Sequence, residues 1–144
     1  MIHLTNQLVD DIQRLFSERE DSYKETIVKE KYKTLPKGHY PKVIIEEIDN
    51  SEVLSRSTTQ GERSTLLGYQ ITVYSRDTEE YEAIDSVKLM LDIIYDYLQP
   101  SNRYNMQRLG SPAIVPFISD NTVMTGTIRY TCVYDYETNL IYRN

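Results

Sequence analysis

Between Asp77 and Gln99 the chain reads DTEEYEAIDSVKLMLDIIYDYLQ, and any fold must bury one side of this stretch. Ile84, Val87, Leu91, Ile94, Tyr95 and Leu98 recur at spacings of three and four, which puts them on one face of a helix. Asp85, Lys88, Asp92 and Asp96 form a polar stripe on the other side. Asp77 stands where an N-cap would, and Glu80 three residues on would complete a capping box. Pro100 ends the helix, because the residue before a proline is pushed out of the α region. Leu89, Met90, Ile93 and Tyr97 widen the apolar surface beyond one face. A helix of this kind packs on a sheet. Its extra width is read first as core with a few exposed apolar residues, and second as a contact with another subunit.

The whole chain, 144 residues, fits one domain. A domain of that size buries roughly 68–70% of its unfolded surface, enough for a core without staples. The 16 Lys and Arg stand against 22 Asp and Glu, a formal charge of −6. That balance argues against a dedicated nucleic-acid binder, which needs a basic face to displace counterions. The single cysteine, Cys132, rules out a disulfide within the chain and points to a reducing setting. No apolar run approaches the ~18–20 residues of a membrane span. The opening MIHLTNQLVDD lacks the basic-then-apolar form of a signal peptide. Thirteen tyrosines with no tryptophan suit strands and half-wet interfaces.

Thr5 to about Arg19 reads as a first helix, with Thr5 as N-cap, Leu4 and Val9 as staple, and Leu8, Ile12, Leu15 and Phe16 as buried stripe. Residues 18 to 41 form a charged excursion anchored by Tyr23, Ile27, Val28 and Tyr32; a short helix and an extended segment both fit it. Pro36, Gly38 and Pro41 mark a turn, and Lys42 to Asp49 is a strand rich in β-branched residues. Residues 50 to 64 are polar and too many for a tight hairpin turn, so they read as a projecting β-arm or mobile loop. Thr65 to Ser75 alternates Tyr69, Ile71 and Val73 with Gln70, Thr72 and Tyr74, the pattern of a sheet with one buried face. Beyond Pro100, Tyr104 to Leu109 is a short strand candidate. Ala113 to Ile118 is at best an edge strand, because Gly110, Pro112 and Pro116 interrupt pairing. Asp120-Asn121 reads as a turn and Thr122 to Tyr136 as the last long strand, with Gly126 marking a bulge or bend. The order predicts an α+β fold: a mostly antiparallel twisted sheet with helices on one face.

No catalytic constellation stands out. His3 and His39 are the only histidines, and both read as exposed. Cys132 alternates with core-facing residues and reads as a small buried hydrophobe. CxxC, HExxH, GxSxG and GxxxxGK[ST] are all missing, and the five glycines never cluster into a phosphate loop. Glu46, Glu47 and Asp49 end a strand, where a metal nuclease places acids, yet no Asp/Glu-x-Lys triplet accompanies them. The residues point away from an enzyme, and no cofactor or metal is implied.

The order PKVIIEEID, a polar loop, GYQITVYSRD, YEAIDSVKLMLDIIYDYL and RLGSPAIVPFISDNTVMTGTIRYTCVYDY resembles the tail terminator, or tail completion, proteins of long-tailed phages. The resemblance runs from about Lys42 to Tyr136 and rests on the order and character of the elements. The strand GYQITVYSRD and the closing TGTIRYTCVYDY are its most telling pieces. It implies a single tail-terminator-like domain and a ring, usually a hexamer, that caps the tail tube and joins it to the head. The implied partners are further copies of the chain, the major tail tube protein and the head-completion or connector protein. DNA would pass through the ring without specific binding, and the protein would sit in the virion after assembly in the host cytoplasm. Candidate subunit or partner contacts are Val53, Leu54, Arg56, Gln60 and Arg63 in the loop, with Leu140, Ile141 and Tyr142 in the tail. The alternative is a small binding module or inhibitor acting through tyrosine-rich strands.

Overall fold

The computed structural model describes residues 2–31, 39–48, 64–77, 79–99, 106–117, 120–135 and 140–141. In chain order these form α1 (Ile2–Ser17), a 3-10 turn (Ser22–Glu25), β1 (Ile27–Glu30), β2 (Lys42–Ile48), β3 (Ser64–Arg76), α2 (Glu80–Leu98), β4 (Gln107–Phe117), β5 (Asp120–Asp135) and β6 (Leu140–Ile141). The fold is α+β, with strand order β1-β2-β3-β5-β4 and β6 pairing β5. Every pairing is antiparallel except β1 with β2, so the sheet is mixed. All 13 residues of β3 pair with β5, and this ribbon is the spine of the molecule.

Both helices lie on one face of that spine. From β3, Leu67, Tyr69, Ile71 and Val73 turn inward, as the alternation predicts. They meet Val87, Met90, Leu91, Ile94 and Leu98 of α2 in one core. Each such side chain contributes about 1.5–3 kcal/mol through removal from water. The predicted polar stripe of Asp85, Lys88, Asp92 and Asp96 is exposed. Of the residues that widened the apolar surface, Met90 belongs to the core and Leu89 is 40% exposed.

The ends of α2 differ in part from the sequence reading. Asp77 is not the N-cap: the helix starts at Glu80 after Glu79, whose side chain makes no cap bond. The Asp77 carboxylate instead accepts the Glu79 N–H at 3.1 Å. At the other end Gln99 is extended, one residue before Pro100, as pre-proline sterics require.

The first helix also starts earlier than expected. Thr5 lies inside α1, where its Oγ1 sits 3.0 Å from the hydroxyl of Tyr69 and donates to Glu47 at 3.2 Å. Tyr69 is fully buried, so its hydroxyl needs a partner, and this demand outweighs the local capping signal. Leu4, Leu8, Ile12 and Phe16 are buried at one side of α1, while Leu15 is only half-buried. Gln13 ties the helix to the sheet edge. Its Nε2 donates to the Thr26 carbonyl and its Oε1 accepts the Val28 N–H, both at 2.9 Å.

The charged excursion resolves, where described, into the 3-10 turn and the edge strand β1. Asp21 caps the turn by accepting the Tyr23 N–H and pairs with Arg19 at 2.6 Å. Residues 32–38 and the predicted loop at 50–64, apart from Ser64 at the start of β3, lie outside the described residues. On the far side, the two short segments expected around Gly110 are one edge strand, β4. A register shift between Leu109 and Ala113 absorbs the interruption, with Gly110 at φ 73 in the left-handed region that glycine tolerates. Asp120 and Asn121 already belong to β5, so the turn expected there does not hold. Gly126 marks no bulge either; it pairs in unbroken register with Val73 and Ile114.

Candidate interaction surface

Both helices lie on one face of the sheet, and no described helix or strand lies over the other, although Val123, Thr125 and Thr131 on that side are buried. Alternation and cross-strand register identify its residues. Lys42, Tyr74, Thr125 and Val115 form one row across the strands, and Ile44, Thr72, Thr127 and Ala113 the next. Glu46, Gln70, Arg129 and Leu109 form a third. The Thr72 and Thr127 hydroxyls lie 3.3 Å apart, and Arg129 Nε donates to Gln70 Oε1 at 3.3 Å. Thr125 donates to the Val115 carbonyl at 3.0 Å. Hydrogen bonds thus tie neighbouring strands together on this side of the sheet.

One end of this face carries a cluster of rings and cations. Lys42 Nζ lies 4.9 Å from the Tyr40 ring centre and 5.2 Å from that of Tyr74. Arg76 stacks over Tyr40 at 4.6 Å, and Phe117 meets Tyr74 edge-on at 5.6 Å. Such contacts favour a cation over a ring face by roughly 0.5–1 kcal/mol at exposed positions. Burial, and then the neighbouring Arg76, hold the Lys42 ammonium below its ordinary pKa. Burial likewise pushes the Tyr74 phenol up, with Tyr40 adding to the effect and Lys31 opposing it.

The net charge of −6 conceals a separation of signs. On the sheet face away from the helices stand Lys29, Lys31, Lys42, Arg76 and Arg129, with Glu46, which pairs with Lys31 at 3.0 Å, and with Asp135 placed there by strand alternation. On the opposite side of the molecule α2 exposes Glu80, Glu82, Asp85, Asp92 and Asp96 against the single Lys88. The large exposed apolar residues among those described, Tyr81 at 83%, Leu89 at 40% and Val115 at 53%, also fall on these two faces. Composition could not reveal this, because the basic residues come from four separate segments.

The acids at the start of α2 interact. A hydrogen bond with the Asp77 carboxylate raises the pKa of Glu82, and the charges of Asp77, Glu79 and Asp85 raise it further. Glu82 therefore binds its proton more tightly in the folded chain than in the unfolded one. Its contribution is unfavourable while both groups are charged, and is relieved as pH falls through the raised value. Asp77→Asn is expected to bring the Glu82 titration down toward that of an ordinary glutamate, as read by carboxyl NMR; an unmoved titration would place the cause elsewhere. A cleft of about 340 Å³ opens beside these acids, and Asp77 and Glu80 are its only described ionisable lining groups.

The residues screened for chemistry do not converge. Glu46 and Glu47 point to opposite faces, one toward Lys31 and the other toward Thr5. His39 is half-buried, not exposed as expected, and its Nε2 donates to the Glu25 carbonyl at 2.8 Å. Among the described residues, no three His, Cys, Asp or Glu side chains gather as metal ligands. Cys132 is buried at 3% exposure, and burial pushes its thiol pKa up to about 12. Thiol reagents at pH 8 are thus expected to label it far more slowly in the native protein than in urea. Cys132→Ser is expected to cost about 1–2 kcal/mol in urea unfolding. Rapid stoichiometric labelling of the native chain would contradict the packing.

Of the contacts proposed from sequence, Val53, Leu54, Arg56, Gln60, Arg63 and Tyr142 lie outside the described residues. The backbones of Leu140 and Ile141 pair with Asp135 and Tyr134 of the same chain. Since β3 occupies one edge of β5 throughout, β6 continues the line of β4 on the other edge. No described helix is long and apolar enough to cross a membrane. In comparison with known proteins, the chain matches no family model and no curated sequence.

Proposed function

We propose that the chain is a structural subunit of a long-tailed phage, forming a ring that caps the tail tube and joins it to the head connector. The observation that carries this reading is the laterally braced sheet face away from the described helices, set on an element order that resembles the tail terminator proteins. A subunit that meets copies of itself needs extended, rigid surfaces more than a pocket. Contacts that are weak singly add when a template holds several copies side by side, and the tube end is such a template. The loop residues Val53, Leu54, Arg56, Gln60 and Arg63 reach the neighbours in this reading, with the tail at Leu140, Ile141 and Tyr142. The partners are the major tail tube protein and the head-completion protein, with DNA passing through unbound.

In a phage lacking the gene, microscopy is expected to show full heads beside unjoined tails of irregular length. Replacing residues 50 to 64 with a short Gly/Ser link is expected to leave a folded protein that cannot complete tails. Normal virions from the knockout would remove the ring reading. Normal virions from the loop replacement alone would remove the loop from it. The cluster of Tyr40, Lys42, Tyr74 and Arg76 also suits a second reading, a binding module that holds a partner protein through this face. Virions that assemble normally while the protein co-purifies with a non-virion partner would favour it.

A further inference from the structure

We infer that the side-chain amide of Gln13 stands in for a neighbouring strand on the outer edge of β1 and closes that edge of the sheet to a second copy of the chain. The inference goes beyond the ring reading and does not depend on it. Three observations carry it.

First, β1 ends the strand order β1-β2-β3-β5-β4, so one side of its backbone faces away from the sheet. The bonds to β2 identify the groups on that side. Ile27 N–H donates to the Pro41 carbonyl at 3.3 Å, and Lys31 N–H donates to the Ile45 carbonyl at 3.0 Å. Strand alternation then aims the N–H groups of Val28 and Glu30, with the Thr26 carbonyl, the other way. Second, the Gln13 amide meets two of these outward groups at once. Its Nε2 donates to the Thr26 carbonyl and its Oε1 accepts the Val28 N–H, both at 2.9 Å. One residue of a parallel strand makes the same pair of bonds, here around Ile27. A strand of another chain would need the groups that Gln13 already holds. Third, the amide is locked against turning over. Its Nε2 also donates to Ser17 Oγ at 3.1 Å, and Ser17 is itself fixed by donating to the Gln13 carbonyl at 2.8 Å. A flipped amide would set oxygen against the Thr26 carbonyl and nitrogen against the Val28 N–H.

The far edge of the sheet is closed by other means. There β4 carries Pro112 and Pro116, which have no N–H to offer, and its ladder is interrupted between Leu109 and Ala113. An open edge recruits further strands, so closing both edges confines association to other surfaces. The competing account is that Gln13 only anchors α1 to the sheet.

The test compares the full parent chain with Gln13→Ala, which keeps a strong helix former in α1 and deletes the amide. In dilute solution, hydrogen exchange is expected to show the Val28 N–H losing protection about tenfold or more, while the Ile27 N–H and the β3–β5 ribbon keep theirs. Sedimentation velocity is expected to show self-association about tenfold stronger than in the parent. At concentrations where the variant associates, the Val28 N–H is expected to regain protection, because a strand of the second copy now accepts it. Adding Glu30→Pro is expected to return association to the parental level, since proline removes an outward N–H without touching the bonds to β2. Circular dichroism confirms folding, and where the proline variant does not fold, the regained protection alone locates the contact. Unchanged Val28 exchange, or a loss shared equally by the ribbon, overturns the inference. Loss at Val28 with association unchanged reduces Gln13 to an anchor for α1 and overturns it too. Association that leaves Val28 unprotected runs through another surface and has the same consequence.

Discussion

Ile94→Asp is expected to abolish soluble folding. Ile94 is fully buried on the inner face of α2, among Val87, Met90, Leu91 and Leu98. The substitution removes a large apolar side chain, a loss of about 2–5 kcal/mol on its own. It also places a carboxylate in a core where no Lys or Arg is buried among the described residues, and burial of an unpaired charge costs several kcal/mol more. The sum rivals the whole stability of an ordinary domain, roughly 5–15 kcal/mol. The control is Asp92→Ala, two residues away on the exposed stripe, expected to change stability by no more than about 0.5 kcal/mol. Thermal melts followed by far-ultraviolet circular dichroism check both. A soluble Ile94→Asp protein with the parental melting temperature would mean that α2 turns a different face to the sheet.

That prediction follows from sequence as readily as from structure, because the spacing of apolar residues in α2 is a strong, purely local signal. The same holds for β3, where Tyr69, Ile71 and Val73 alternate with polar neighbours and are all fully buried. Features that depend on distant partners were not legible. Thr26, Ile27 and Val28 are a short β-branched run amid charges, and Ile27 and Val28 become strand through parallel pairing with Lys42 and Val43. Thr5 carries a good capping signal, which loses to a buried tyrosine 64 residues away. Gly110 and Pro112 look like the end of a strand, yet a bulge carries β4 through both. The candidate surface was least legible of all. Its basic face is assembled from β1 and the residue after it, β2, β3 and β5, each contributing one or two cations that mean nothing in isolation.

Gly126 shows how one residue can be noticed for the wrong reason, and it supports the second large prediction. Gly126→Ala is expected to destabilise the protein by about 1–3 kcal/mol, the ordinary cost of overpacking a core. A methyl group built there would lie 2.5 Å from Val87 Cγ1 and 2.9 Å from Leu91 Cδ1. Leu91 has a second side-chain torsion with which to move its terminal methyl aside. Val87 does not, because its branch at Cβ fixes its rotamer in a helix. The helix must then lift from the sheet or the strand must sink, and both disturb the central β3–β5 ribbon. In a domain of this length each kcal/mol lowers the melting temperature by roughly 2–4 °C. Val87→Ala in the Gly126→Ala background should recover part of the loss, giving a coupling energy of about 0.5–3 kcal/mol. Gly110→Ala separates this mechanism from backbone strain. Nothing lies within 4 Å of a methyl group at that position, but φ is +73. Its cost, about 1–2 kcal/mol, comes from the left-handed backbone and should be indifferent to Val87. If Val87→Ala rescues neither glycine variant, or both equally, close approach of α2 is not what keeps residue 126 a glycine.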